Sequence, residues 1–113
     1  MKPMQMIGYV YLLLKVATDG MESYKIGISK NDPAKRVKQL QTGNDCIISL
    51  LKSYKSKNYN KIEKMLHNKY KLYVTEAGNE WFNLPPTDVI RFQETCKETD
   101  ELVSYLKETN PFF

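Results

Sequence analysis

Tyr9-Val10-Tyr11-Leu12-Leu13-Leu14 and, after Thr18-Asp19-Gly20, Tyr24-Lys25-Ile26-Gly27-Ile28 decide the fold. Both runs carry aromatic and β-branched residues, and the second alternates. Asp-Gly between them is turn chemistry, so the pair reads as an antiparallel hairpin. The connection is longer than a two-residue turn and leaves the register open.

Downstream, Asn31-Asp32-Pro33 opens a helix, with Asp32 as N-cap and Pro33 at the first helical position. Val37 and Leu40 share one face, and Thr42-Gly43-Asn44 is a glycine stop. Cys46 to Leu51 is a nearly continuous apolar run, expected as a strand buried in the middle of a sheet. A second helix is expected over about 58–70, with Ile62, Leu66 and either Lys69 or Tyr70 inward. Ala77-Gly78-Asn79 reads as a turn, and Glu80 to Leu84 as a short extended segment with Trp81 and Phe82 as core. Pro85-Pro86 punctuates. A C-terminal helix over about 87–108 follows, breaking near Thr99, with Val89, Phe92, Cys96, Val103 and Leu106 in step. The order β-β-α-β-α-α makes an α+β domain.

At 113 residues the chain is expected to be one domain, 1–113, with one core. Two cysteines do not make a disulfide scaffold, and the cytoplasm is the expected compartment. The longest apolar run is too short for a membrane span, and no signal-peptide cleavage site follows the N-terminus. The net charge of +4 is divided unevenly: 14 Lys+Arg against 5 Asp+Glu in residues 1–73, and 3 against 8 in residues 74–113. A basic body of this kind suits a polyanion, most simply nucleic acid. Zinc-finger spacing, a phosphate-binding P-loop, a dinucleotide fingerprint and a serine nucleophile elbow are all absent from the sequence.

What remains is a set of Tyr, Lys, Arg, His and Glu in order. Tyr9-Val10-Tyr11, then Lys25-Ile26-Gly27, then Asp32 to Leu40 resemble the opening of a GIY-YIG nuclease domain. Glu63-Lys64-Met65-Leu66-His67 and Gly78-Asn79-Glu80-Trp81-Phe82-Asn83-Leu84 resemble the branch typified by the T5orf172 and MUG113 domains, over about residues 8–92. The resemblance implies a three-stranded antiparallel sheet flanked by helices. It implies metal-dependent hydrolysis of a DNA phosphodiester, with Mg2+ or Mn2+ and a phage or mobile-element setting. By resemblance, Tyr11 helps activate the attacking water and Arg36 holds the scissile phosphate. Glu80 binds the metal, His67 contacts phosphate or relays a proton, and Lys25 stands where a second tyrosine usually lies. Gly27 lets backbone approach the substrate. Ile28 stands where many relatives carry a lysine, and Lys30 follows two residues on.

The residue types suit that chemistry. Phosphodiester hydrolysis needs charge screened, a water deprotonated and a leaving oxygen stabilised. Arg36 is a forked cation suited to phosphate, and one carboxylate with phosphate and waters suffices for magnesium. A tyrosine is a poor base until cations lower its pKa. Gly27, Lys30, Lys35, Lys38, Lys55 and Lys57 are the expected substrate contacts; Tyr54 and Tyr59 interleave the lysines of 52–61 and are able to stack on bases, the equal alternative being a solvated strand-to-helix connection. The simpler readings are a core tyrosine, a solvated arginine, and a His67 paired with Glu63 at i,i+4. The rival functions are a non-catalytic nucleic-acid-binding module on the same fold and an adaptor using the acidic C-terminal helix. Target specificity would come from this domain, a second copy or a partner protein.

Overall fold

The computed structural model of the chain describes residues 6–43, 45–75 and 78–113, with backbone alone at 78–80. The hairpin consists of β1 (Gly8–Val16) and β2 (Glu22–Ser29). It is paired from Tyr9 opposite Ser29 to Val16 opposite Glu22. The connection closes at Gly20, whose φ of 86° is open to glycine at no steric cost, and Asp19 Oδ1 accepts from Met21 N at 2.9 Å. Helix α1 (Pro33–Gln41) starts as the sequence indicates: the Asp32 carboxylate accepts from Ala34 N at 3.0 Å. Then come β3 (Ile47–Ser56), α2 (Tyr59–Lys69), a 3-10 turn (Lys71–Tyr73), β4 (Val74–Thr75), β5 (Gly78–Phe82), α3 (Pro86–Ile90) and α4 (Phe92–Thr109).

The class is α+β, but the antiparallel sheet has five strands rather than three, in the order β3-β1-β2-β5-β4. The added strands are the short segments around 74–82. Phe82, only 1% exposed, must enter the core. Pairing Tyr24 with Phe82 and Lys25 with Trp81 puts it there. Gly78 and Asn79, expected in a turn, stand in β5, and Ala77 lies outside the described residues.

Strand β3 is at an edge, not in the middle. Its apolar run arises because helices pack on both its faces, α1 on one and α4 on the other. Glutamine side chains occupy backbone groups of this region. Gln41 accepts from Ile48 N at 2.8 Å and donates to Cys46 O at 2.7 Å, while Gln93 donates to Ser53 O at 3.2 Å. A bulge between them shifts the β1–β3 register at Leu12/Leu13.

The alternation of β1 serves two cores. Val10 and Leu12, with Ile26 of β2, pack against Ile62, Leu66 and Tyr70 of α2 and Phe92 and Cys96 of α4. Tyr11 and Leu13, with Ile48, pack under Val37 and Leu40 of α1. The lysine-rich α1 and the acidic α4 therefore lie on opposite faces of the sheet. The C-terminal helix breaks at Arg91, not near Thr99. Thr99 stays helical with its hydroxyl donating to Thr95 O at 2.8 Å. Asn58, 2% exposed, ties α2 to α4: its amide donates to Asp100 Oδ1 at 2.7 Å and Ser104 Oγ at 3.1 Å, and its oxygen accepts from Lys107 Nζ.

Candidate active site

Tyr11 and Gly27 face each other across the β1–β2 ladder. The absence of a side chain at Gly27 lets the Tyr11 ring lie over the backbone there; a Cβ would stand 2.5 Å from Tyr11 Cζ and closer still to the hydroxyl oxygen. Tyr11 is thereby buried to 2% exposure yet reaches the strand beyond its own. Lys25, two residues back along β2, shares that face and is also buried.

The β2–β5 ladder pairs Lys25 with Trp81. The next carbonyl along β2, that of Ile26, lies 2.7 Å from His67 Nε2 on α2. A carbonyl only accepts, so Nε2 carries the proton, and in the neutral ring Nδ1 is the acceptor. The imidazole also meets Phe82 edge-to-face, with centroids 5.2 Å apart. His67 thus anchors α2 to β2, and its hydrogen bond goes to Ile26, not to Glu63.

A cavity of about 190 Å³ opens here, between α1 on one side of β2 and α2 on the other. Tyr11, Lys25, Gly27, Arg36, Glu63 and His67 line it. The sequence proposed five of these six. In the sequence Glu63 stands out only as a partner for His67; its place four residues earlier on the same helix is the signal that puts both in one wall. Arg36 is exposed, its Nη1 3.4 Å from Gln39 Oε1. The guanidinium is therefore only loosely tethered.

Glu80 stands in β5 directly before Trp81, so its backbone adjoins the Lys25–Trp81 pair; its side chain lies outside the described residues. Among the described residues there is no group of three or more His, Cys, Asp and Glu placed to hold a metal ion.

Other expected contacts are dispersed. Lys30, Lys35, Lys38, Lys55 and Lys57 are exposed and are not part of the cavity wall. The two tyrosines expected to stack on bases face inward. Tyr59 is buried at 6% exposure, and Tyr54 donates to Asp100 Oδ2 at 2.9 Å. Burial and that bond push the Tyr54 phenol up to about 12. Lys61 sits 3.9 Å from the Phe113 ring centroid, and Lys52 donates to Ile90 O at 2.6 Å. Trp81 is not core as expected but half-buried, with Lys15 Nζ 4.2 Å and Lys25 Nζ 5.9 Å from its ring centroid.

No helix among the described residues is long and apolar enough to cross a membrane. Neither the curated proteins nor the solved structures compared with the chain give a significant match. A profile of the T5orf172 domain does match, over residues 8–97, which takes in both cores and every wall of the cavity. The chain belongs to the T5orf172 domain family, a GIY-YIG-like family whose character is nuclease-like or DNA-binding.

Proposed function

We propose that this chain is a metal-dependent endonuclease that hydrolyses DNA phosphodiester bonds at the cavity between α1 and α2. The observation that carries the reading is the meeting of Tyr11, Lys25, Gly27, Arg36, Glu63 and His67, from four elements, around one small cavity. A cation pair, a phenol and an imidazole acceptor in one wall suit attack on a phosphate better than they suit packing.

In this reading Arg36 forks onto two oxygens of the scissile phosphate, and Lys25 screens the same charge from the sheet side. Tyr11 acts as a relay, its phenol giving its own proton to Nδ1 of His67 as its oxygen takes the proton of the attacking water, so that the proton ends on the imidazole. The bare backbone at Gly27 seats the Tyr11 ring and so holds its hydroxyl in the cavity wall. The donor types suit a hard cation: Glu80, with the Glu63 carboxylate of the cavity wall, would hold Mg2+ or Mn2+, with phosphate and water as the other oxygen donors. When bound, such an ion stabilises charge on the leaving oxygen.

The test is supercoiled plasmid with and without Mg2+ or Mn2+. Nicking or cutting only with metal, abolished in Glu80→Ala with the far-ultraviolet spectrum unchanged, is the expected result. Retarded but uncut plasmid under every metal condition would replace this reading with the binding module.

A further inference from the structure

Among the described residues α1 packs chiefly on β3, with slighter contact to β1 and β2. Beyond Lys25, the half-buried Trp81 ring lies under Lys15 Nζ at 4.2 Å. Lys15 is at once the far end of this pair and part of the wall of a second cavity of about 440 Å³, shared with Glu22, Ser23, Thr75 and Asn83. Thr75 Oγ1 is buried with no hydrogen-bond partner among the described residues. The second cavity falls within the size range of small-ligand pockets, and nothing in the proposed reaction uses it.

We infer that Lys25, Trp81 and Lys15 guide an unpaired DNA strand from the candidate cleavage cavity into the second cavity, which receives a base. The inference rests on the nuclease reading for the position of the scissile phosphate. A tryptophan with two ammonium groups 4.2 Å and 5.9 Å from its ring centroid suits what a single strand presents: bases to stack and phosphates to neutralise. The second cavity suits a base rather than a phosphate. Its Glu22 carboxylate repels an anion but accepts from an exocyclic amino group, while Ser23 and Asn83 supply neutral hydrogen-bonding groups and Ala17, Met21 and Val74 supply apolar wall. From Tyr11 to Lys15 is four residues of strand, about 13 Å. That is no more than about four nucleotides at the stacked rise, so one strand spans both cavities. A duplex has no free base to place there.

Trp81 is the protein's only tryptophan, so its fluorescence reports this subsite alone. The experiment titrates the whole chain, without metal and at fixed salt, with a short blunt duplex and with the same duplex carrying a single-stranded overhang of a few nucleotides. Anisotropy of a label on the DNA measures affinity in parallel. The expected result is quenching by the overhang DNA and little by the blunt DNA. Lys15→Ala should weaken overhang binding by at least about threefold and blunt binding less, and Trp81→Ala should weaken overhang binding by at least about fivefold while Trp81→Phe largely retains it. Overhang binding that leaves the fluorescence unchanged, or equal losses on both DNAs in Lys15→Ala, overturns the inference. Lys15 is half-buried but lies outside both cores, so its variant tests the subsite even where Trp81→Ala does not fold. Plasmid cleavage together with equal quenching by the blunt and overhang DNAs refutes the subsite alone; quenching by the overhang DNA without plasmid cleavage under any metal refutes the nuclease reading alone.

Discussion

The phenol of Tyr11 occupies the space that a side chain at Gly27 would fill. The two residues are cross-strand partners in the β1–β2 ladder, so the hairpin register itself sets the hydroxyl in the cavity wall. A slip of one residue would turn Tyr11 toward α2 and α4 and leave the wall without it.

Gly27→Ala should therefore destabilise the fold by about 1–3 kcal/mol through overpacking. It should also displace the phenol and lower cleavage at least about tenfold. Urea denaturation checks the first effect. In a Tyr11→Leu background, which removes the ring, the cost of Gly27→Ala should fall, and a cost unchanged by that background would show that the two residues do not compete for space.

His67→Ala removes the donor to the Ile26 carbonyl. An unmade bond at a buried carbonyl costs about 1–3 kcal/mol, and the lost ring contact with Phe82 adds roughly 0.5–1.5 kcal/mol. Nitrogen-detected NMR of the neutral side chain should show the Nε2–H tautomer. An Nδ1–H tautomer would contradict the hydrogen bond assigned here and the proton-accepting role given to Nδ1.

Arg36→Lys keeps the charge and loses the fork. If Arg36 clamps the phosphate as charge builds in the transition state, cleavage should fall at least roughly tenfold while DNA affinity changes by less than about threefold. Single-turnover cleavage beside a binding titration at one salt concentration separates the two. Small, parallel changes would count for the non-catalytic module.

Stability should decline in alkali. Burial, with a smaller contribution from Asp100, pushes the Cys96 thiol from 9.0 up to about 12. Between those values the unfolded chain has released a proton that the folded chain retains. The unfolded state therefore binds fewer protons, and stability falls as pH rises through that range. Tyr54, raised from 10.0 to about 12, acts in the same direction higher up. Urea midpoints should drop between about pH 9 and pH 11, and Cys96→Ala should flatten the early part of the decline. A slope identical in Cys96→Ala would assign the loss elsewhere.

Local chemistry explains what was legible in the sequence. Asp32-Pro33 and the β1–β2 alternation act within a few residues, and both stand in the structure as read. The number of strands was hidden because β5 is held by Phe82 entering a core built from distant elements, a long-range cause that Glu80-Trp81-Phe82 does not display. The edge position of β3 was hidden because a run covered by helices on both faces looks the same as one flanked by strands. In the site, Tyr11, Lys25, Gly27, Arg36 and His67 were found by resemblance to a motif order. Trp81 is not legible because a large aromatic beside Phe82 reads as core, whereas the structure leaves it half-buried with Lys15 and Lys25 close to its ring.

The glutamines along β3 have a consequence for the protein in bulk. A ten-residue edge strand is a template on which another chain can grow a sheet. Here one side-chain amide, that of Gln41, mimics a neighbouring backbone by donating and accepting at once, and Gln93 takes a carbonyl beyond the bulge. These contacts hinder strand-on-strand polymerisation at β3 without adding a charge to that edge. Loss of the Gln41 amide should therefore raise the concentration dependence of aggregation even where the fold stays intact.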